Sequence, residues 1–199
     1  MIPIGQIGLK ELPISVANIL NTIANKSVDG SVDKVLKHKL ANTADSTALA
    51  SSAAEQNFST NYTLSISMMF PGRIFKIIAT GVYSTTGTPT LLFRVKFGTT
   101  NLVIFTARTG INNASNQSWM IEALIAVRST GASGSVMASG KASINTSAGI
   151  DTVESVVNNA ATTVDTTANQ TLQISAQWSA ASASNTTTLK NMIVLLSDY

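Results

Sequence analysis

The sequence predicts an all-β chain folded as an antiparallel β-sandwich, and three observations carry that expectation. Apolar and polar residues alternate with period two through most of the chain after Asn42, which is the rhythm of strands with one buried face. Residues 118–144, SWMIEALIAVRSTGASGSVMASGKASI, contain two such runs joined by Gly-Ala-Ser-Gly, and glycines at both ends of a short connection favour a hairpin. Helical periodicity is confined to the first part of the chain, so crossover helices that would cover a parallel sheet are missing. A long hairpin is not stable alone in water and needs further strands on its apolar face.

The chain begins with MIPIGQIGLKELP, in which Pro3, Gly5, Gly8 and Pro13 oppose a helix. An extended arm is expected. Its apolar content, Ile2, Ile4, Ile7 and Leu9, is too high for a segment left in water, so the arm lies along another surface, either its own domain or a partner. From Ile14 the period changes. Val16, Ile19, Leu20 and Ile23 sit at i, i+3, i+4 and i+7 and form one helical stripe, with Ser15 as N-cap and a stop at Val28-Asp29-Gly30. Residues 31–40 fit either a helical turn or a strand entering the main domain. The expected organisation is residues 1–41 as arm and short helix, and residues 42–199 as the sandwich.

Within the sandwich, residues 47–52 are a weak, Ala-rich edge candidate. Residues 61–69 alternate Tyr62, Leu64, Ile66 and Met68 against small polar residues, and Pro71-Gly72 supplies a turn. Residues 73–84 are apolar on both faces, which suits a central strand or a subunit interface. After the loop at residues 85–89, Leu91, Phe93, Val95 and Phe97 form an inward face opposite Arg94 and Lys96, and Gly98 begins the turn into residues 102–107. The polar loop 110–117 leads into the central hairpin, where Trp119, Ile121, Ala123, Ile125 and Val127 face inward, followed by Val136, Ala138, Gly140, Ala142 and Ile144. Residues 145–169 read either as a long connection or as a weak edge strand. Leu172, Ile174, Ala176 and Trp178 then alternate cleanly, and after the loop 181–187 the run Met192-Ile193-Val194-Leu195-Leu196 indicates burial on both sides. The total is about eight or nine strands, for which Greek-key or jelly-roll ordering is the usual solution.

Composition narrows the function classes. Only 12% of residues are charged while 44% are hydrophobic, the opposite of a disordered chain, so small hydroxyls and amides carry the surface. Such surfaces are common where a protein packs beside copies of itself or other subunits. The net charge of +3 comes from scattered Lys and Arg, without the basic stripe and aromatic platforms of a nucleic-acid footprint. Cysteine is absent, which excludes disulfides and thiolate metal sites. No apolar run approaches the length of a membrane span, and Met1-Ile-Pro-Ile lacks the basic start of a secretory signal.

No catalytic, cofactor-binding or metal-binding constellation is expected. The lone histidine, His38, sits between Lys37 and Lys39 and reads as a surface residue. Without a second His or any Cys, histidine triads and zinc sites have no ligands to use. Glu122 interrupts an apolar strand and is expected to pair with Arg94 or Arg128. Asp151, Glu154 and Asp165 lack calcium-loop spacing and read as solvated. Neither a Gly-x-Ser-x-Gly elbow nor a phosphate loop occurs. Trp119 and Trp178 fall on the apolar side of their strands and belong to the core, whereas Tyr62, Tyr83 and Tyr199 are expected to reach the surface.

The phrases RIFKIIATGVYSTTGTPTLLFRVKFGTTNL and SWMIEALIAVRSTGASGSVMASG, with a Gly-Thr-Thr turn and a Trp-x-x-Glu-Ala strand, resemble small virion proteins of tailed bacteriophages. These are capsid decoration (cement) proteins or the knobs of head and tail fibres. The resemblance covers residues 73–140, and it implies a jelly-roll-like sandwich that assembles as a homotrimer on the outer surface of the particle, anchored by its N-terminus. The anchor would be Ile2, Ile4, Ile7, Leu9, Val16, Ile19, Leu20 and Ile23, and the partner would be the major capsid protein or another virion protein. Decoration is favoured over a fibre because no heptad run, collagen-like repeat or solenoid period supplies a shaft. The alternative is a receptor-binding or carbohydrate-binding knob whose loops at residues 110–117 and 181–187 touch a host surface glycan. Neither nucleic acid nor membrane is an expected partner.

Overall fold

The computed structural model describes residues 36–147 and 150–197; the expected arm and helix, with all eight expected anchor residues, lie outside them. In chain order the strands are β1 (Leu36–Ala41), β2 (Gln56–Leu64), β3 (Ile74–Ser84), β4 (Thr90–Phe97), β5 (Thr100–Ile104), β6 (Arg108–Thr109), β7 (Gln117–Ser129), β8 (Gly134–Ser147), β9 (Ile150–Val157), β10 (Thr162–Val164), β11 (Gln170–Trp178) and β12 (Thr186–Ser197). They form two antiparallel sheets packed as a sandwich. The larger, seven-stranded sheet runs β1-β12-β3-β7-β8, with β9 and β10 both on the free side of β8; the smaller, five-stranded sheet runs β2-β11-β4, with β5 and β6 beside β4.

The pairings are nested. β1 pairs with β12, β2 with β11, β3 with β7 and β4 with β5, so the chain behaves as one long antiparallel ribbon whose successive rungs fall in alternate sheets. The segment β8–β10 is inserted between the third and second rungs and widens the larger sheet beyond β7.

Alternation places the side chains as expected in the long strands. On β3, Phe75, Ile77, Ala79 and Tyr83 are buried, and on β7 Trp119, Ile121, Ala123, Ile125 and Val127 are buried. Leu91, Phe93, Val95 and Phe97 of β4 and Leu172, Ile174, Ala176 and Trp178 of β11 face them from the smaller sheet. Burial of this apolar surface is the main favourable contribution to the fold.

Several expectations need correction. The sandwich begins with β1 at Leu36, before the expected start at Asn42, because the strand choice for residues 35–40 wins: Lys37 and His38 pair with Leu196 and Leu195. Residues 47–52 make only one bridge, Leu49 to Thr187. The strand expected over residues 61–69 starts earlier, at Gln56, and stops at Leu64, after which Ile66–Met68 form a single 3-10 turn. That turn leaves Ile66 about half exposed, at 51%. For residues 145–169, left open between a connection and an edge strand, the structure gives β9 and β10 on the free side of β8. Tyr83 is not a surface residue but 1% exposed: it occupies an inward position of β3, stands edge-on to Trp178 with ring centroids 6.3 Å apart, and donates its hydroxyl to the Asn145 carbonyl.

The two sheets are joined by aromatic rings centred on Trp119. The indole lies 4.7 Å from the ring of Phe93 and 5.7 Å from that of Phe58, centroid to centroid, so a residue of the larger sheet is enclosed by two from the smaller one. Its ring N–H donates to Thr187 Oγ1 at 3.1 Å and to the Val82 carbonyl at 3.3 Å. Gly81 is the partner of Trp119 across the β3–β7 ladder. A Cβ at Gly81 would stand 2.3 Å from the indole and 2.2 Å from the Thr188 carbonyl oxygen. Gly140 plays a similar part on β8, where a Cβ would meet Phe105 and Val103 of the opposite sheet at 2.9 Å.

Replacing Gly81 with alanine is therefore expected to destabilise the sandwich by roughly 2–3 kcal/mol, as overpacking of a closed core does. Urea unfolding should show a lower midpoint at an unchanged slope, and a midpoint equal to wild type would contradict this packing.

Candidate functional site

The outer faces of the two sheets differ in chemistry. On the smaller sheet the outward positions hold Arg94 and Lys96 of β4 and Gln173 and Gln177 of β11. Glu55, just before β2, lies over them: Lys96 Nζ is 2.7 Å and Arg94 Nη1 3.6 Å from its carboxylate. Arg94 Nη2 donates to Gln177 Oε1 at 2.7 Å, and Gln177 Nε2 donates to the Ala53 carbonyl at 3.0 Å. Gln173 Nε2 donates to the Gly98 carbonyl at 2.8 Å. Partial burial raises the Glu55 pKa, but the Lys96 and Arg94 cations outweigh it and hold the carboxyl below its ordinary value. Most polar groups here are thus engaged within the chain.

The outer face of the larger sheet sets exposed apolar side chains among small polar and charged ones. Strand register arranges it in rows. One row runs Asn191, Thr80, Met120, Ser143, Val153; the next runs Ile193, Ile78, Glu122, Lys141, Ser155; a third runs Leu195, Lys76, Leu124, Ser139, Val157. Met120, Leu124, Val153 and Val157 are 39%, 48%, 53% and 69% exposed. Two shallow depressions lie over these strands. One of about 270 Å³ touches Lys76, Leu124, Ser139 and Val157, and one of about 250 Å³ touches Met120, Glu122, Lys141 and Val153.

Glu122 sits in the middle row and pairs with Lys76 at 3.7 Å, not with Arg94 or Arg128. The register decides this. Glu122 is opposite Ile78, which puts Lys76 on the diagonal of the same face, whereas Arg94 belongs to the other sheet and Arg128 is about 20 Å farther along β7.

Glu154, read from sequence as solvated, ties the inserted strand β9 to the smaller sheet. Its carboxylate accepts from the Thr106 amide at 2.9 Å, the Thr106 hydroxyl at 2.7 Å and Arg108 Nη2 at 3.3 Å. Burial raises its pKa, and the Thr106 hydrogen bonds with the Arg108 charge lower it by more, so the carboxyl titrates below its ordinary value. Asp165 accepts from the amide and hydroxyl of Thr167 within one turn. His38 is exposed on β1. Among the described residues no group of three or more His, Asp or Glu converges as metal ligands, and no helix is long and apolar enough to cross a membrane.

The loops expected to contact a glycan meet at one end of the sandwich and are braced by internal hydrogen bonds. Thr85 donates its hydroxyl to the Ile111 carbonyl and accepts from the Ala114 amide, and Asn185 Oδ1 accepts from the Thr86 amide at 2.9 Å. Asn185 is buried and Thr187 fully so, which removes both from the rim. The large apolar side chains exposed among the described residues are aliphatic or methionine.

Sequence reasoning did not single out Met120, Leu124, Val153 and Val157, although Met120 and Leu124 stand on the polar phase of an otherwise clean alternation. Comparison with protein families, curated proteins and solved structures found no match.

The Glu154 contacts predict a pH dependence. A carboxyl with a folded-state pKa below its ordinary 4.5 contributes stability that is present above that value and is lost as pH falls through the depressed folded value. Glu154→Gln is expected to cost about 1 kcal/mol near neutral pH, given the partial exposure of the cluster, and distinctly less near pH 3. Urea titrations of both proteins at the two pH values check this; an equal cost at both would rule out the charged contact.

Proposed function

We propose that the chain is a structural virion protein of a tailed bacteriophage: a capsid decoration (cement) protein with a jelly-roll sandwich, docked on the head through its N-terminal residues and acting as a homotrimer. The observation that carries this reading is the nested strand order, first with last and inward to β4 with β5. Nesting of this kind is what a jelly-roll ribbon, the framework of viral capsid domains, would produce, and it supports the fold implied by the resemblance of residues 73–140. A sandwich alone does not name a function. The surface chemistry adds support, because the polar groups of the smaller sheet are largely engaged within the chain, while the larger sheet exposes aliphatic side chains of the kind a subunit covers in an assembly.

The anchor residues Ile2, Ile4, Ile7, Leu9, Val16, Ile19, Leu20 and Ile23 carry the docking role in this reading. Three weak arms on one trimer bind far more tightly than one, through effective concentration. The alternative of a glycan-binding knob finds exposed amides at Asn112, Asn113 and Asn116, but no exposed aromatic ring among the described residues on which a sugar face would stack.

Removing residues 1–25 is expected to leave a folded sandwich, with β-type far-ultraviolet circular dichroism, that no longer co-sediments with phage heads. Retained binding to heads would overturn the anchor. A glycan array probed with the full chain separates the alternative: specific hits together with no binding to heads would favour the knob.

A further inference from the structure

The outer face of the larger sheet supports the decoration reading but has no assigned occupant in it. A sheet covered on one side by its partner sheet ordinarily alternates apolar inward and polar outward, and the smaller sheet departs from this at Leu92 and Ile104. On β3, β7, β9 and β12 the outward positions instead include Ile74, Ile78, Met120, Leu124, Val153 and Leu195. We propose that this face is the surface through which copies of the chain associate, so the occupant is a second copy of the same sandwich.

Extent and charge both argue for a copy. The strands β12, β3, β7, β8 and β9, of 8 to 14 residues each and spaced about 4.8 Å apart, together present roughly 900 Å² before side-chain relief is counted. That is close to the about 800 Å² per partner buried in a stable protein interface, whereas a peptide strand or a small ligand would cover only part of it.

The polar groups within the face suit self-association. Met120 and Val153 on one side and Leu124 and Val157 on the other flank Glu122, which has Lys76 of the neighbouring row at 3.7 Å. Lys141 is its cross-strand neighbour in the ladder and makes no ion pair among the described residues. A copy turned toward this face brings its own Glu122 and Lys141 within reach of the first, so the charges are paired instead of stranded when water leaves. A uniformly acidic or basic partner would leave one of the two signs unmatched.

The inference deepens the proposed role and rests on that reading for the number of copies, since sheets turned toward a common three-fold axis share this face in a trimer. The test uses the full chain, its Leu124→Lys and Val157→Lys variants, and Thr63→Lys as a control on the outer face of the smaller sheet, all examined by sedimentation velocity over a dilution series. The wild type and Thr63→Lys are expected to associate alike, and each face variant to associate at least about tenfold more weakly, the loss of an interface contact of ordinary weight. Circular dichroism equal to wild type establishes that the variants are folded. Val157 lies at the sheet edge, so it remains informative if Leu124→Lys fails to fold.

A wild-type chain that stays monomeric throughout, or face variants that associate as the wild type does, would overturn the inference. Binding to phage heads by a monomeric chain would sink the self-association face alone. Association through this face with no binding to heads would sink the virion role alone.

Discussion

The sandwich depends on a single close approach: the indole of Trp119 over Gly81. A tryptophan at the ladder position opposite a β-carbon would be pushed off the sheet. With hydrogen at that position, the ring lies flat enough to be enclosed by Phe58 and Phe93 while its N–H reaches Thr187 and the Val82 carbonyl. One side chain therefore links β7 and β3 of one sheet, β2 and β4 of the other, and β12 through Thr187. Gly140 repeats the solution on β8, giving the rings and branched side chains of β5 and its following loop a place to enter. Large residues of one sheet entering gaps left by small residues of the other is the form that close packing takes in this core.

A core closed in this way leaves function to the surface, and the two surfaces have been treated oppositely. The smaller sheet carries cations, but Glu55 pairs with Lys96 and Arg94, and Gln177 accepts from Arg94, within the chain. The larger sheet is widened by the inserted strands β8–β10, and the insertion adds Val153 and Val157 to a face already aliphatic at Met120 and Leu124. The Glu154 contacts with Thr106 and Arg108 hold β9 in place from its inner side, so its outward valines are displayed on a firmly attached strand.

Legibility followed the strength of the local pattern. The long strands at Ile74, Thr90, Gln117 and Gln170 were readable because every second residue is apolar over the whole strand, even where Ile78, Leu92, Met120 and Leu124 interrupt the intervening polar positions. Residues 56–60 were missed because Phe58 is the lone large apolar residue in a polar stretch, and β9 stayed undecided between connection and edge strand because Val153 and Val157 stand on the outward phase while only Val156 packs toward the core. Tyr83 was placed at the surface on the strength of its hydroxyl, yet the carbonyl of Asn145, distant in sequence, satisfies that group in the interior. The expected Glu122 partners failed for a related reason: an ion pair across a ladder depends on register, and register is a property of two strands at once.

By itself, then, the sequence determined that this chain is built of antiparallel strands, which residues of its long strands face inward, and that both tryptophans belong to the core, because a two-residue period is a local property of the backbone. The tertiary structure decided the nesting of first strand with last, the burial of Tyr83, the partner of Glu122 and the gathering of scattered aliphatic residues into one face. Those depend on which distant segments become neighbours, and the energies that select them, ring against glycine and carboxylate against cation, arise only once the two sheets have met.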